Sequence, residues 1–222
     1  MEPRLTAINL NEVLLYLGYK GGAIPENIHR DILRCMDQMM EAARPRIVWR
    51  QFDLLPDGTL RGTDFCPQGN DVKKLLKDCK RAVLMAATLG TEVEAMLRRA
   101  QVKNMSDAVI LDCCGSSAIE NVCDNFCEDL QKEVDGYLTD RFSPGYGDLP
   151  FSQQPDFCRI LDLPRRIGVT LSPGGLMIPQ KSVTAILGIA DVPQHMRFRG
   201  CAYCSQFENC TYRKENRTCG NH

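Results

Sequence analysis

Histidine is scarce in this sequence, and neither sign of charge is in excess. The three histidines, His29, His195 and His222, form no spacing that is typical of a metal site. Lysine and arginine total 27 against 28 aspartates and glutamates, which gives a net charge of −1. Proteins that bind nucleic acid or anionic membranes by electrostatic attraction carry a clear excess of positive charge. We therefore expect neither kind of partner.

Long apolar runs and several common motifs are also missing. No apolar run reaches the length that is needed to cross a bilayer. The first residues, MEPRLTAINLNEVLLYLGYK, lack the basic region followed by an apolar region that marks a secretion signal. The sequence contains no nucleophile elbow, no P-loop and no dinucleotide-binding fingerprint. These absences predict a cytoplasmic protein and argue against the enzyme classes that those motifs define.

Cysteine, by contrast, is abundant, with 12 residues in the chain. Most are scattered through segments that are expected to form the folded core, whereas the last four crowd together near the C-terminus. In a chain without a secretion signal, reduced thiols or metal ligands are expected rather than a disulfide framework. The scattered cysteines, such as Cys123 and Cys127, are predicted to pack as small hydrophobic residues.

The four C-terminal cysteines lie in CAYCSQFENCTYRKENRTC, with the spacing C-x2-C-x5-C-x8-C. Two thiolates three positions apart can bind one metal ion, and the segment has few aliphatic side chains that could hold it by packing. We predict a metal or cluster site with Cys201, Cys204 and Cys210 as ligands and Cys219 as a fourth. An iron–sulfur cluster, a structural Zn²⁺ and free or redox-active thiols all stay open.

Hydrophobic periodicity predicts the order of helices and strands. Helices are expected over LNEVLLYLGY, PENIHRDILRCMDQMMEAA, NDVKKLLKDC, TEVEAMLRRA, QPDFCRIL and a long segment from about 106 to 138, with Asn11 and Asn70 as N-caps. RAVLMAATLG is expected to be a buried strand, and RIVWRQFDLLPDGTLRG two strands across a Pro-Asp-Gly turn. The irregular order favours an α+β fold with helices packed on a twisted antiparallel sheet.

Three regions are predicted along the chain. Residues 1–45 form a helical N-terminal segment, residues 46–195 an α+β domain, and residues 196–222 the cysteine-rich tail. The sequence contains no internal repeat and no long linker.

The loop DRFSPGYGDLP, which follows the long helix, combines residues that suit a small ligand. The planar guanidinium of Arg141 can bind a carboxylate, and Tyr146 can place an aromatic face beside a cation or a heterocycle. Pro144 fixes the backbone, and Gly145 lacks the Cβ that would block a ligand. The alternative interpretation is an ordinary Pro-Gly turn with a surface arginine and a half-buried tyrosine.

This loop, together with the hairpin that follows it, resembles the activation domain of cobalamin-dependent methionine synthase. The shared pattern is an arginine five residues before the tyrosine of a Pro-Gly-Tyr turn, as Arg141 stands to Tyr146. IGVTLSPGGLMIPQKSVTAILGI is similar to the strand, Met-x-Pro corner and Ser-Val strand of that family, with matches at Met177, Pro179, Ser182 and Val183. The resemblance extends over roughly residues 80–190.

The resemblance implies that the chain binds S-adenosylmethionine. Arg141 would engage the polar end of the ligand, the backbone from Ser143 through Pro144 to Gly145 would run against it, and Tyr146 would pack beside it. Glu120, on the long helix, would face its positive charge; the alternative for Glu120 is a solvated carboxylate on a helix face.

The resemblance also implies partners. They are a separate cobalamin-binding methionine synthase, or another corrinoid methyltransferase, and an electron donor. The implied role is activation by reductive methylation, in which cob(II)alamin on the partner gains an electron and a methyl group. Two other functions stay open: an iron–sulfur or zinc protein that acts as a redox carrier or scaffold, and an independent small-molecule methyltransferase.

Overall fold

A computed structural model describes residues 2–19 and 24–194. The helices in this part of the chain are α1 (Leu10–Tyr16), α2 (Glu26–Ala42), α3 (Asn70–Leu76), α4 (Thr91–Lys103), α5 (Met105–Glu133), α6 (Gln154–Leu161) and α7 (Leu163–Ile167), with a short 3-10 helix at Phe151–Gln153. The strands are β1 (Arg46–Asp53), β2 (Cys79–Thr88), β3 (Tyr137–Leu138), β4 (Thr170–Leu171), β5 (Met177–Ile178) and β6 (Ser182–Ala190). The predicted metal ligands Cys201, Cys204, Cys210 and Cys219 lie outside the described residues.

The main sheet has four strands in the order β1-β2-β6-β3, and every pairing in it is antiparallel. The two long central strands, β2 and β6, are almost wholly buried, because helices cover both faces of the sheet. Strands β4 and β5 form a separate small hairpin. The α+β fold with an antiparallel sheet is therefore confirmed.

Alternate residues of β2 contribute to two hydrophobic cores, one on each face of the sheet. Val83, Met85 and Ala87 pack in the first core with residues of α1, α2, α4 and α5. The even-numbered residues between them pack in the second core with residues of α3, α6 and α7. This is the period of two that a strand imposes, and it explains why β2 has no polar face.

The N-terminal helices pack on the same side as the long helix. Cys35 and Met39 of α2 are fully buried in the first core, and Arg34 donates to both oxygens of Asp107 on α5 at 3.1 and 2.8 Å. The division of the chain at residues 45 and 195 stays a prediction. Among the described residues, no helix combines the length and the apolar character that crossing a membrane requires.

Three local predictions were wrong. The N-cap of α1 is Asn9, whose side chain accepts from the amides of Asn11 and Glu12, so the helix begins one residue before the predicted cap. Asn70 is inside α3, and the cap residue is Gly69. The second strand predicted after the Pro-Asp-Gly turn is reduced to one isolated bridge, Leu54 with Leu60, because the ladder of β1 is formed with β2.

Candidate functional site

The loop begins with an irregularity at the edge of the sheet. Leu138 pairs with Ile189, and Phe142 pairs with Ile186, so four residue steps on one strand oppose three on the other. The extra residue is a β-bulge, and it reverses the faces of the sheet toward which the following side chains point. As a result Phe142 is buried in the second core, while the side chain of Arg141 reaches α5, which packs on the opposite face.

Arg141 is held by two carboxylates of α5. Its Nη2 donates to Oε2 of Glu120 at 2.7 Å, and its Nη1 donates to Oδ1 of Asp124 at 2.7 Å. The side chain of Arg141 is only 14% exposed, whereas those of Glu120 and Asp124 are 42% and 53% exposed. Burial opposes the charge of the guanidinium, but the thiolates that Cys123 and Cys127 form at high pH, together with these two carboxylates, outweigh it and raise the pKa of Arg141.

Two cysteines line the inner side of this ion pair. Nη1 of Arg141 lies 3.6 Å from Sγ of Cys127, and Cys123 is fully buried one helical turn earlier. Burial raises the pKa of the Cys123 thiol, so it stays protonated at neutral pH. In residues 2–19 and 24–194 no group of three or more histidine, cysteine or acidic side chains is placed to hold a metal ion.

The Pro-Gly-Tyr segment is a tight turn. The amide of Tyr146 donates to the carbonyl of Ser143 at 3.0 Å, and the amide of Gly145 donates to that of Leu149 at 2.9 Å. Gly145 has a φ of +89°, a conformation that L side chains rarely adopt. Tyr146 is 44% exposed, and its ring meets Phe142 edge to face with centroids 5.4 Å apart. Arg141 and Tyr146 therefore have different anchors, α5 and Phe142.

An acidic residue beyond the turn ties the loop to α3. The carboxylate of Asp148 accepts from the amides of Asn70 and Asp71 at 2.6 and 3.0 Å, which satisfies free donors at the start of that helix. These bonds hold the pKa of Asp148 below its usual value. Gly69 is necessary for this approach, because a Cβ there would lie 2.5 Å from Oδ1 of Asp148.

The hairpin that carries part of the sequence resemblance lies next to the loop. A Cβ at Gly145 would meet the ring of Phe151 at 3.4 Å, and a Cβ at Gly175, between β4 and β5, would meet it at 3.0 Å. The partly exposed phenyl ring of Phe151 therefore lies between the loop and the hairpin turn. The loop and the hairpin turn are therefore neighbours in the structure.

The sequence pointed to Glu120 and Arg141, and the structure brings them into contact. It did not point to Asp124 or Asp148. The signal for Asp124 was available, because residues four apart on a helix share a face and Asp124 follows Glu120 by four. Asp148 could not have been found in this way, because its partners in α3 are more than 70 residues away in sequence.

The polar groups of the site carry a net negative charge. Arg141 contributes one positive charge and Glu120 and Asp124 one negative charge each, so the cluster sums to −1. The carboxylates are the solvent-facing members, and the cation lies beneath them. Such an arrangement suits a ligand with net positive charge that also has an anionic group for the guanidinium.

Comparison with known proteins gives a match of structure alone. No protein family model matches the sequence, and no curated protein matches it. Among solved structures, the chain is similar to a crystal structure described as the MetH reactivation domain bound to AdoHcy. The alignment has a TM-score of 0.60 and 12% sequence identity, and it covers 96% of this chain and 82% of that chain.

The match extends beyond residues 80–190, the range over which the sequence itself carries the resemblance. At this level of identity it establishes the fold. The resemblance to the activation domain of methionine synthase is thus confirmed for the fold, and this chain has an α+β architecture similar to that of a MetH reactivation domain.

Proposed function

We propose that this chain binds S-adenosylmethionine at the Arg141–Tyr146 loop and serves as the reactivation partner of a cobalamin-dependent methionine synthase. The observation that carries the proposal is the contact of Arg141, which precedes the Pro-Gly-Tyr turn in sequence, with Glu120 and Asp124. The fold adds support, because the similar solved structure is described as a reactivation domain bound to AdoHcy, the demethylated form of this ligand.

The charges of the cluster fit the ligand. S-adenosylmethionine has a carboxylate, an ammonium and a sulfonium, so its net charge is +1, opposite to the −1 of Arg141, Glu120 and Asp124. The carboxylates are exposed and can face the cationic groups, while Arg141 is the donor for the ligand carboxylate. For Arg141 to bind the ligand carboxylate, either Glu120 or Asp124 must release its hydrogen bond with the guanidinium.

The turn contributes shape more than charge. Gly145 allows the backbone conformation of the turn, with the ring of Phe151 next to the position that a Cβ would take. The exposed ring of Tyr146 offers a flat surface for adenine or a face for a cation. Methyl transfer depends on alignment of donor and acceptor, so these residues bind and orient the ligand, and the reaction needs no catalytic base from this chain. The ligand supplies the methyl group, and the acceptor is the cobalamin of the partner.

The proposal includes partners that the chain does not carry. The cobalamin belongs to the methionine synthase or to another corrinoid methyltransferase, and an electron donor supports the reduction of cob(II)alamin. Mixing this protein with a methionine synthase that lacks its own activation domain should restore methylcobalamin when the ligand and a reductant are present.

The binding site is tested with Arg141→Ala. We expect this substitution to weaken the binding of S-adenosylmethionine by about 1.5–3 kcal/mol, which is the usual range for a lost hydrogen bond to a charged group. Isothermal titration calorimetry of the wild-type protein and the variant measures the difference. Unchanged affinity would show that Arg141 does not contribute to the binding of S-adenosylmethionine.

The matched control is Arg4→Ala. Arg4 also donates to a carboxylate of α5, that of Asp129, at 2.7 Å, but this residue is on a different part of the helix. The control removes the same type of side chain and an ion pair with the same helix, at a more exposed position (50% for Arg4 against 14% for Arg141), and we expect it to leave ligand affinity unchanged. Loss of binding in both variants would indicate a general effect of α5.

The cysteine-rich tail supports a second candidate function. Its C-x2-C-x5-C-x8-C spacing favours a metal or iron–sulfur site at Cys201, Cys204, Cys210 and Cys219, and a protein with such a site could be a redox carrier or scaffold. Anaerobic purification, metal analysis and an ultraviolet–visible spectrum test it. Metal together with no heat on titration with S-adenosylmethionine would favour this alternative.

A further inference from the structure

A cavity of about 440 Å³ lies between α3, the start of β2 and the turn that follows β1. Its volume is within the range of small-molecule sites, which is roughly 300–1,000 Å³. The residues that line it belong to segments 54–58, 66–67, 72–77 and 79–80, so it is separate from the Arg141–Tyr146 loop. We call it the α3 cavity.

One part of the α3 cavity is apolar. Its aliphatic lining consists of Leu54, Leu55, Val72 and Leu76. Val72 is fully buried in the second core, so this wall is fixed by the packing of α3 against the sheet. The thiol of Cys66 also lines the cavity and lies 3.5 Å from the carbonyl oxygen of Asp57.

Cationic side chains also line the α3 cavity. Lys73, Lys77 and Lys80 line it, and Lys80 is paired with Asp191 at 2.5 Å. Within the described chain, the ammonium groups of Lys73 and Lys77 have no acidic partner. They are four positions apart on α3, so they share a face of the helix and repel each other.

The acidic residue of the lining offsets at most one of these two positive charges. The carboxylate of Asp57 accepts from the amide of Thr59 at 2.9 Å and so closes its own turn. The α3 cavity therefore combines an aliphatic wall with two unpaired cations on one helix face. That combination recognises a molecule that has an anionic group at one end and an apolar body at the other.

We propose that the α3 cavity binds a small organic anion: a carboxylate, sulfonate or phosphate attached to an aromatic or short aliphatic group. The ammonium groups of Lys73 and Lys77 contact the anionic group, which relieves their mutual repulsion. The apolar body lies against Leu54 and Leu76, where it leaves water.

The probe for this site is 1-anilinonaphthalene-8-sulfonate, and the readout is alkylation of Cys66. Iodoacetamide labels the reduced full-length protein at increasing probe concentrations, and peptide mass spectrometry follows each cysteine. We expect the probe to protect Cys66 and to leave Cys158, a partly exposed thiol outside the cavity, at its own rate. Absence of protection at Cys66 would overturn the proposal.

Two further comparisons test the role of charge. In the double variant Lys73→Gln/Lys77→Gln the probe concentration that gives half protection should rise about tenfold, as for lost hydrogen bonds to a charged group. Lys73→Arg/Lys77→Arg should retain protection, and so should the control Arg99→Gln/Lys103→Gln, which removes an equally spaced cationic pair from α4.

N-phenyl-1-naphthylamine, which lacks the sulfonate, should protect poorly. Equal protection by both probes, or in the Lys73→Gln/Lys77→Gln variant, would show that the lysines do not select an anion.

Discussion

At the scale of the residue, the acidic partners of Arg141 should decide which form of the proposed ligand binds more tightly. The cluster of Arg141, Glu120 and Asp124 has a net charge of −1, and both carboxylates face solvent. S-adenosylmethionine has a net charge of +1, whereas AdoHcy lacks the sulfonium and is neutral overall. The proposed site should therefore favour the methylated ligand over its product.

The substitution Asp124→Asn tests this preference. It brings the cluster to neutrality, so we expect the affinity for S-adenosylmethionine to fall about 2–5-fold, the effect of one partly exposed charge. The affinity for AdoHcy should change less, and calorimetry with both ligands gives the ratio. Glu133→Gln, which removes an exposed charge from the last residue of α5, nine positions from Asp124, should leave the ratio unchanged. An equal loss for both ligands would contradict an electrostatic role for Asp124.

The limits of prediction from sequence are also visible at individual residues. Arg141 and Glu120 are predicted from the resemblance to a family, and helical periodicity puts Glu120 next to the apolar face of α5. Neither source gave the orientation of the guanidinium, because that depends on the extra residue in the edge strand between Leu138 and Phe142. A bulge has no distinctive sequence when the extra residue is not glycine.

At the scale of the element, α3 shows how a local pattern can be right about a helix and wrong about its cap. The apolar spacing of NDVKKLL identified the helix, but the acceptor at its N-terminus is Asp148, which belongs to the loop after Phe142. A cap of this kind is a long-range contact. Sequence periodicity describes one element at a time, so it cannot supply such contacts.

The join between α3 and the loop makes Gly69 a sensitive position. It has a φ of +113°, and a Cβ would lie 2.5 Å from the carboxylate and 2.7 Å from the carbonyl oxygen of Asp148. We expect Gly69→Ala to lower the free energy of unfolding by about 1–3 kcal/mol, because strained backbone and a steric clash add. Urea denaturation measures the change.

The control for that prediction is Gly62→Ala. Gly62 also has a positive φ, of +81°, but a Cβ there would meet nothing within 4 Å. Gly62→Ala therefore introduces backbone strain without a steric clash, and it should lower the free energy of unfolding by less than Gly69→Ala does. An equal decrease in the free energy of unfolding for both variants would mean that Asp148 moves away from the added Cβ without destabilising the protein.

At the scale of the whole molecule, the sheet separates two cores, and buried thiols make the first core sensitive to alkali. Burial raises the pKa of Cys35 to about 11 and that of Cys114 to about 12, from an ordinary value of 9.0. Above pH 9 an unfolded chain loses these protons while the folded protein keeps them. Stability is therefore intact below pH 9 and falls as the pH rises toward 11 and 12.

Urea unfolding under reducing conditions at pH 8 and pH 10 tests this dependence. Each such thiol lowers the free energy of unfolding by at most about 1.4 kcal/mol per pH unit. The variant Cys114→Ala should be less stable at both pH values because of the cavity it leaves, but its decline with pH should be shallower than that of the wild-type protein. Val83→Ala, which truncates a buried side chain that does not ionise, should keep the wild-type decline. A decline in Cys114→Ala as steep as in the wild-type protein would exclude this thiol as a source.

The architecture as a whole was predictable to the level of its class. Helical and strand periods alternate without a repeated βαβ unit, which pointed to an antiparallel sheet, and the observed order β1-β2-β6-β3 has that character. The position of α1 and α2 was not predictable. Their apolar faces indicate that each helix packs against the rest of the protein, but they do not indicate which element it packs against. They lie on α5, in the same core as the odd-numbered residues of β2.

Two neighbouring residues are anchored in different layers of this protein. Arg141 is bound to α5, and Phe142 is buried on the far side of the sheet. Adjacent residues therefore join the two layers of the molecule at this point. We expect any displacement of α5 relative to the sheet to be transmitted through Arg141 and Phe142 to the Pro-Gly-Tyr turn that follows them.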